Sequence, residues 1–226
     1  MYIEKINTPE DIKKYNINEL EVLAQELREA IINKVSDCGG HLASNLGIVE
    51  LTIALHYVFD APKDKFVFDV SHQTYCHKML TGRKAAFIKK ENYKDVTGFS
   101  NPKESEYDLF ALGHTSTSVS LACGLAKARD LKHDSENVIA VIGDASLDGG
   151  EAFEALNCAA EINSNLIVVI NDNEMSIPEN HGALGRHLKQ LKESAGKQKD
   201  NFFKALGFEY HLIENGNDLE SVIKEL

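Results

Sequence analysis

Several features are missing from this sequence, and each absence excludes a class of protein. No apolar run approaches the roughly 20 residues that a membrane-spanning helix needs, so we expect no membrane span. The first five residues, Met1 to Lys5, do not open a long apolar stretch and do not resemble a secretory signal. Basic residues are in the minority, with 24 Lys and Arg against 35 Asp and Glu. The resulting net charge of −11 argues against a nucleic-acid partner.

Cysteine is also scarce. The four cysteines, Cys38, Cys76, Cys123 and Cys158, show no CxxC spacing. Scattered cysteines without a secretory signal are typical of reduced thiols in a cytosolic protein. We therefore expect a cytoplasmic location, with all four thiols buried as small apolar side chains.

The pattern of apolar residues predicts an α/β fold. With 226 residues, 43% of them hydrophobic, the chain is long enough to bury a sizeable core. Continuous apolar runs at 66–70, 138–142 and 166–170 are typical of buried strands, and they alternate with segments of helical periodicity. This alternation predicts a parallel sheet with helices on both faces. No linker, repeat or low-complexity tract interrupts 1–226, so we expect a single domain.

Other segments give expectations for individual elements. The predicted helices are 18–37, 47–59, 116–131, 150–162, 200–206 and 217–226. Asn217 is the expected N-cap of the last helix. The segment 208–213 resembles a further strand. The glycines and prolines of 82–113 predict a long, partly irregular connection, and those of 176–200 predict an irregular segment with some helix.

Polar residues follow two of the predicted strands directly. Gly143 and Asp144 come after the strand at 138–142, and an Asn-Asp-Asn run begins at Asn171 after the strand at 166–170. One helix separates the two strands, so they form a βαβ unit and end at the same edge of the sheet. That carboxyl edge is where open α/β sheets bind ligands.

Asp144 and Asn173 offer the hard oxygen ligands that Mg²⁺ prefers, and Mg²⁺ often shares its ligands with phosphates. Glycines at 149 and 150 lead into a helix N-terminus, which favours an anion. The alternative is that Asp144 caps a local turn and the Asn-Asp-Asn run is a polar turn. Taken together the two clusters favour a metal site, in which Asp172 is the weakest member and is expected to make local hydrogen bonds.

With these residues identified, the chain resembles the 1-deoxy-D-xylulose-5-phosphate synthases of the transketolase-like family, which use thiamine diphosphate. The resemblance extends from about residue 18 to residue 226. The segments that carry it are GGHLASNLG (39–47), DVSHQ (69–73), KMLTGR (78–83), ESEYD (104–108), GHTSTS (113–118) and NDNEMSI (171–177).

The resemblance implies the diphosphate-binding domain of the thiamine-diphosphate-binding fold. It implies a transferase that condenses pyruvate with glyceraldehyde 3-phosphate to 1-deoxy-D-xylulose 5-phosphate, with release of carbon dioxide. This product is a precursor of isoprenoids and thiamine. The implied cofactors are thiamine diphosphate and Mg²⁺, and the implied assembly is a homodimer. The small molecules are the expected partners, together with a pyrimidine-binding domain in the same or a partner chain.

The resemblance also assigns roles to residues. The implied metal ligands are Asp144, Asn173 and the backbone carbonyl of Met175. His41 and His72 are the implied catalytic residues, because an imidazole transfers protons near neutral pH. The positions implied to line the cofactor are His72, Gly113, His114, Thr115, Ala145, Ser146 and Asn173. For His56, His133 and His211 we expect structural roles, while His77 and His181 are left open.

Three departures keep other functions in view. Ala145 stands where many members of the family have glycine, and the segment between Met175 and Phe202 is shorter than the insertion common there. The pyrimidine-binding domain does not appear in the 226 residues. We therefore expect a fragment of a longer multidomain enzyme or one subunit of a two-chain enzyme. The alternatives are a transketolase acting on a ketose phosphate and a non-catalytic paralogue that binds the cofactor.

Overall fold

A computed structural model describes residues 1–173 and 182–226 of the chain. The described residues form two compact units. The first unit comprises residues 1–64, 70–113 and 215–226. The second unit comprises residues 65–69 and 114–214.

The first unit is helical over the residues that the structure describes. Its helices are α1 (Ile17–Cys38), α2 (Leu42–Leu46), α3 (Val49–Val58), α4 (Tyr75–Lys78), α5 (Ala85–Ile88) and α11 (Leu219–Glu225). Short 3₁₀ turns cover Ile3–Lys5, Pro9–Lys14 and Lys90–Asn92, and a π-type turn with a kink covers Met79–Arg83.

Helix α1 organises the core of the first unit. It begins with a capping box in which the Asn16 side chain accepts from the Glu19 N–H at 3.1 Å, while Glu19 accepts from the Asn16 N–H at 2.9 Å. It ends at Gly39, whose φ of 77° stops the helix. Its apolar stripe packs into one cluster with residues from α3, α4 and α11, including Ile53, Cys76 and Leu219. This packing holds the segments around α2 and α4 in place.

The second unit contains a parallel sheet with three strands in the order β1-β2-β3, flanked by helices. The strands are β1 (Lys65–Phe68), β2 (Val138–Gly143) and β3 (Leu166–Asn171). The described helices are α6 (Ser118–Lys132), α7 (Asp144–Leu147), α8 (Gly150–Ile162), α9 (Ala183–Glu193) and α10 (Phe202–Ala205). The register pairs Val67 with Ala140 and Gly143 with Asn171, so the three strands present their carboxyl ends at one edge.

The α/β prediction with a parallel sheet is confirmed, and most predicted elements lie within two residues of their observed bounds. Three predictions are wrong. The strand predicted at 66–70 ends at Phe68, because Val70 and Ser71 take positive φ values of 57° and 69° that no strand accommodates. No strand forms over 208–213. The last helix is capped by Asp218, whose side chain accepts from the Ser221 N–H at 3.0 Å, and not by Asn217.

The cysteine prediction is half right. All four cysteines are free, and Cys76 and Cys123 are buried. Burial raises the pKa of the Cys123 thiol to about 11 and that of Cys76 further still. Cys38 and Cys158 are exposed instead, because each lies on the solvent side of its helix. Across the two described ranges, no helix is long and apolar enough to cross a membrane.

Candidate active site

The two predicted polar clusters lie at the same edge of the sheet in the second unit. Asp144 begins α7 immediately after β2 and is buried, with 3% of its surface exposed. Asn173 lies two residues beyond the end of β3 and is exposed. Because Gly143 pairs with Asn171 in the parallel register, both side chains follow neighbouring strand ends, as the sequence predicts.

The Asp172 carboxylate pairs with the Lys192 ammonium of α9 at 2.9 Å, a partner 20 residues away. This ion pair connects the segment after β3 to α9. The local hydrogen bonds expected for Asp172 stay a prediction. The predicted ligand Met175 and the undecided His181 lie outside the described residues.

A tight turn over residues 114–118 stands beside this edge, and a buried carboxylate holds it. Asp69, immediately after β1, accepts the Ser116 N–H on one oxygen and the Ser118 N–H on the other, each at 2.9 Å. Asp69 in turn donates its own N–H to the Val141 carbonyl at 2.8 Å. The carboxylate thereby satisfies backbone donors at the start of α6 and fixes the turn to the sheet. The sequence does not single out Asp69, because this residue lies inside the predicted strand at 66–70, whereas the observed strand ends at Phe68.

The turn also contacts the segment after β2 through hydroxyl groups. Thr115 Oγ1 donates to Ser146 Oγ at 2.7 Å, and Ser116 Oγ donates to the Ser146 carbonyl at 2.7 Å. The His114 ring lies with Nδ1 2.7 Å from the Thr115 carbonyl, so that nitrogen carries the proton. The predicted cofactor residues His114, Thr115 and Ser146 are thus neighbours, and Ala145 adjoins Ser146 in α7.

Glycine at position 149 has a steric reason, whereas the sequence suggests that it leads into an anion-binding helix N-terminus. A Cβ built on Gly149 would lie 2.0 Å from Ser116 Oγ, whereas one on Gly143 or Gly150 would meet nothing within 4 Å. The turn therefore occupies the space beside Gly149, and open space adjoins Gly143 and Gly150.

In the first unit, the two predicted catalytic histidines lie side by side. The rings of His41 and His72 are 5.2 Å apart between centroids at an interplanar angle of 72°. Phe99 packs edge-on against His41 at 5.4 Å. His41 is exposed and His72 is half-buried, so both retain access to solvent. Gly113, at the end of the same unit, is exposed.

The segments KMLTGR and ESEYD pair with each other in a buried ionic cluster of the first unit. Arg83 binds Asp108 through two hydrogen bonds of 2.7 and 2.8 Å, and Lys78 binds Glu104 at 2.5 Å. The Lys78 side chain is fully buried, and burial lowers the pKa of its ammonium. Burial alone would raise the pKa of Asp108, but hydrogen bonds from His77 and Arg83 outweigh it and hold that pKa well below its usual range. These motif residues serve the structure of the unit.

The remaining histidines have structural positions. His77 approaches Asp108 at 3.2 Å with Nε2 and His56 at 2.9 Å with Nδ1, and burial lowers the pKa of both imidazoles. His133 ends α6 in a left-handed conformation with φ of 60°, and His211 lies 3.1 Å from Glu209 on the surface. The structural roles expected for His56, His133 and His211 agree with these surroundings, and the undecided His77 joins them.

The residues at the sheet edge fit a divalent cation with a diphosphate. Asp144 supplies a carboxylate and Asn173 an amide oxygen, both hard ligands that suit Mg²⁺. Within residues 1–173 and 182–226 no cluster of three His, Cys, Asp or Glu side chains could hold a metal ion. A bound ion here would therefore take further oxygen ligands from backbone, diphosphate or water. The hydroxyls of Thr115 and Ser146 provide hydrogen-bond partners for such an anion.

Fold and site define an α/β ligand-binding protein with an oxygen-rich edge at the ends of its parallel strands. A family model for 1-deoxy-D-xylulose-5-phosphate synthase matches residues 3–200. The chain belongs to the 1-deoxy-D-xylulose-5-phosphate synthase family.

Individual relatives agree with this assignment. The 1-deoxy-D-xylulose-5-phosphate synthase of Carboxydothermus hydrogenoformans is 56% identical over 201 residues, covering 87% of this chain and 32% of the relative. The enzyme of the same name from Dictyoglomus turgidum is 55% identical over 193 residues, covering 85% of this chain and 31% of the relative. That of Syntrophomonas wolfei is 45% identical over 253 residues, covering 96% and 40%.

The chain thus spans about a third of the length of the curated relatives it matches. The 253 positions aligned with the Syntrophomonas wolfei enzyme exceed the 226 residues of this chain, so that relative has residues where this chain has none.

Proposed function

We propose that this chain supplies the diphosphate- and metal-binding part of a 1-deoxy-D-xylulose-5-phosphate synthase that uses thiamine diphosphate and Mg²⁺. The observation that carries the proposal is the parallel register of β2 and β3, which brings Asp144 and Asn173 to one edge. Membership of the family supports thiamine diphosphate as the cofactor. The names of the relatives support 1-deoxy-D-xylulose 5-phosphate as the product.

In this proposal each group at the edge has a separate task. Asp144 and Asn173 would hold Mg²⁺, together with the Met175 carbonyl, and the ion would supply positive charge for the diphosphate. Because Thr115 donates to Ser146, the hydroxyl hydrogen of Ser146 is available to a phosphate oxygen, and Asp69 keeps the turn that carries Thr115 in place. Ala145 adds a half-buried methyl group in α7. Gly113 and His114 remain predicted cofactor contacts.

The two histidines of the first unit are proposed for proton transfer. His41 and His72 have solvent access and adjacent rings, which suits the movement of protons to and from a substrate near neutral pH. Thiamine diphosphate, when bound, supplies the carbanion chemistry that joins pyruvate to glyceraldehyde 3-phosphate with loss of carbon dioxide. The protein contributes binding, orientation and proton transfer.

The proposal includes partners outside the 226 residues. A pyrimidine-binding domain, in the same or a partner chain, holds the other end of the cofactor, and the assembly is a cytoplasmic homodimer. Support comes from the family and from the share of the relatives that this chain covers.

Calorimetry on this chain tests the binding half of the proposal. Titration with thiamine diphosphate in Mg²⁺ should give a saturable heat that disappears with EDTA. Asp144→Ala should abolish it, because the remaining ligands cannot hold the ion. The matched control is Asp134→Ala, an exposed aspartate beyond the end of α6, which should bind as the unmodified chain does. Binding that survives Asp144→Ala would make the metal assignment wrong.

Product analysis tests the catalytic half. The enzyme assembled with its pyrimidine-binding domain should form 1-deoxy-D-xylulose 5-phosphate from pyruvate and glyceraldehyde 3-phosphate. Turnover of a ketose phosphate donor in its place would favour the transketolase alternative. Cofactor binding without either product would favour the non-catalytic paralogue, for which Ala145 is the supporting observation.

A further inference from the structure

The buried side chain of Asn45 joins three segments of the first unit. Asn45 lies in α2 with none of its surface exposed. Its Nδ2 donates to the His41 carbonyl at 2.6 Å and to the His72 carbonyl at 2.8 Å. Its Oδ1 accepts the Tyr75 N–H at 2.9 Å. The amide therefore makes one bond to the backbone of each histidine and one to the start of α4.

This arrangement uses both donors of the amide and its acceptor together. A carboxylate of the same shape has no hydrogen to give to the two carbonyls, and a hydroxyl has only one. Leaving buried carbonyls without donors destabilises the folded chain. The bonds thus select asparagine at this position.

A second contact restrains the chain as it enters His41. The Tyr75 hydroxyl accepts the His41 N–H at 3.3 Å. A Cβ on Gly40 would lie 2.7 Å from the same hydroxyl, and Gly40 has a φ of 140°. The backbone before His41 is therefore fitted against Tyr75, whose own N–H is bound by Asn45.

We propose that Asn45 is a positioning residue that holds His41 and His72 at their mutual distance through their backbones. It acts through the histidines and does not itself touch substrate. This inference rests on the proposed function for the role of the two histidines in proton transfer. The geometric part, a fixed pair of rings, is independent of that function.

The test uses NMR on this chain, labelled on histidine and asparagine. In the unmodified chain, ring protons of His41 and His72 should show a mutual nuclear Overhauser effect. Both Asn45 side-chain amide protons should exchange slowly with solvent, because both are bonded and buried. Asn45→Asp should lose the ring-to-ring effect, since its carboxylate repels the two carbonyls.

The chain offers a matched control at Asn201. Its Oδ1 accepts the Phe203 and Lys204 N–H groups at 2.9 and 3.1 Å, and in the described part of the chain its buried Nδ2 makes no hydrogen bond. Because Asn201 only accepts, Asn201→Asp should leave the fold and the histidine rings unchanged. The same substitution therefore has opposite expected results at the two positions.

Two results would overturn the inference. One is fast exchange of both Asn45 amide protons in the unmodified chain. The other is a ring-to-ring effect of full intensity in folded Asn45→Asp, or in Asn45→Ser if the first variant does not fold.

Kinetics of the assembled enzyme separates the inference from the proposed function. Displacement of the rings should lower kcat by about tenfold to a hundredfold with little change in KM. Asn201→Asp should have normal kinetics. If the ring contact is lost in Asn45→Asp while kcat is unchanged, the positioning role stands and proton transfer by the histidines is wrong.

Discussion

Two buried aspartates, one in each unit, show two ways of stabilising a carboxylate away from water. Asp108 in the first unit is surrounded by cationic and imidazole groups, with Arg83 at 2.7 and 2.8 Å and His77 at 3.2 Å. Asp69 in the second unit accepts two backbone N–H groups at 2.9 Å. The first arrangement balances charge inside a core, and the second uses charge to shape a backbone turn.

The difference bears on where we propose that the ligand binds. Around Asp108 the opposite charges form ion pairs within the unit, and these pairs join the motif segments KMLTGR and ESEYD to each other. The Asp69 carboxylate instead accepts hydrogen bonds from backbone N–H groups. The turn that it stabilises carries Thr115, whose hydroxyl lies with that of Ser146 at the sheet edge. The family resemblance includes motif residues in both regions. Only the contacts distinguish residues that stabilise the first unit from residues of the candidate site.

The largest expected effect is on the ionic cluster. Asp108→Asn should lower the free energy of unfolding by about 3–5 kcal/mol, because it leaves the half-buried Arg83 and the buried Lys78 without a full counter-charge. Urea denaturation measures this change. Asp37→Asn, which removes the exposed pair with Lys90, should have a much smaller effect, because solvent screens that pair. Equal effects of the two substitutions would contradict the account of the cluster.

The turn over residues 114–118 allows the corresponding test in the second unit. Asp69→Ala should lower the free energy of unfolding by about 2–3 kcal/mol, because it leaves the Ser116 and Ser118 N–H groups without their acceptor. It should also abolish binding of thiamine diphosphate, whereas Asp108→Asn in its folded fraction should not. Calorimetry on both variants checks the contrast. Retained cofactor binding in Asp69→Ala would remove the distinction drawn between the two aspartates.

The space beside the turn gives a smaller, steric test. Gly149→Ala should cost about 1–3 kcal/mol of unfolding free energy, because the new methyl group meets Ser116 Oγ at 2.0 Å. Gly150→Ala meets nothing within 4 Å and should be tolerated. Thermal unfolding of the two variants distinguishes them, and equal melting temperatures would show that Ser116 does not occupy this space.

The smallest effect is a dependence of stability on pH that belongs to the first unit. Burial lowers the pKa of His56 and His77 below the ordinary value of 6.5. Below that pH the unfolded chain binds protons that the folded chain does not, so the unfolding free energy falls as the pH falls. Each histidine contributes a slope of at most about 1.4 kcal/mol per pH unit.

Unfolding measured between pH 7 and pH 5 should show this slope reduced in His56→Gln. The exposed His133→Gln should leave it unchanged. An unaltered slope in His56→Gln would mean that this imidazole takes up its proton in the folded chain as readily as in the unfolded one.

Much of the fold follows from local patterns in the sequence. The strands are predicted from the continuous apolar runs at 138–142 and 166–170, and α1 has both a capping box and a terminal glycine. β2 is buried as predicted up to Gly143, whereas β3 is half-buried along its whole length. The error at 208–213 has a physical reason, since a strand needs a neighbour to pair with and propensity alone does not supply one. The side-chain preference of Val70 predicts a strand, but such a preference does not reveal the positive φ that this residue adopts.

The position of part of the candidate site follows from the sequence. Asp144 and Asn173 are predicted to lie at one sheet edge because Asp144 directly follows β2 and Asn173 comes two residues after the end of β3. Asn45 and Asp69 were missed because their partners lie 27 and 47 residues away, at His72 and Ser116, and a single sequence does not show such contacts. Asp69 carries a usable signal, a carboxylate within an otherwise apolar run.

One measurement tests the central claim most directly, that the sheet edge of the second unit binds a metal ion together with a diphosphate. Mn²⁺ takes the place of Mg²⁺ in this chain, and electron–nuclear double resonance is recorded with thiamine diphosphate present. The account predicts a ³¹P coupling to the bound Mn²⁺ that is lost in Asp144→Ala and kept in Asp134→Ala. Mn²⁺ that binds without ³¹P coupling, or a coupling unaffected by Asp144→Ala, would contradict it.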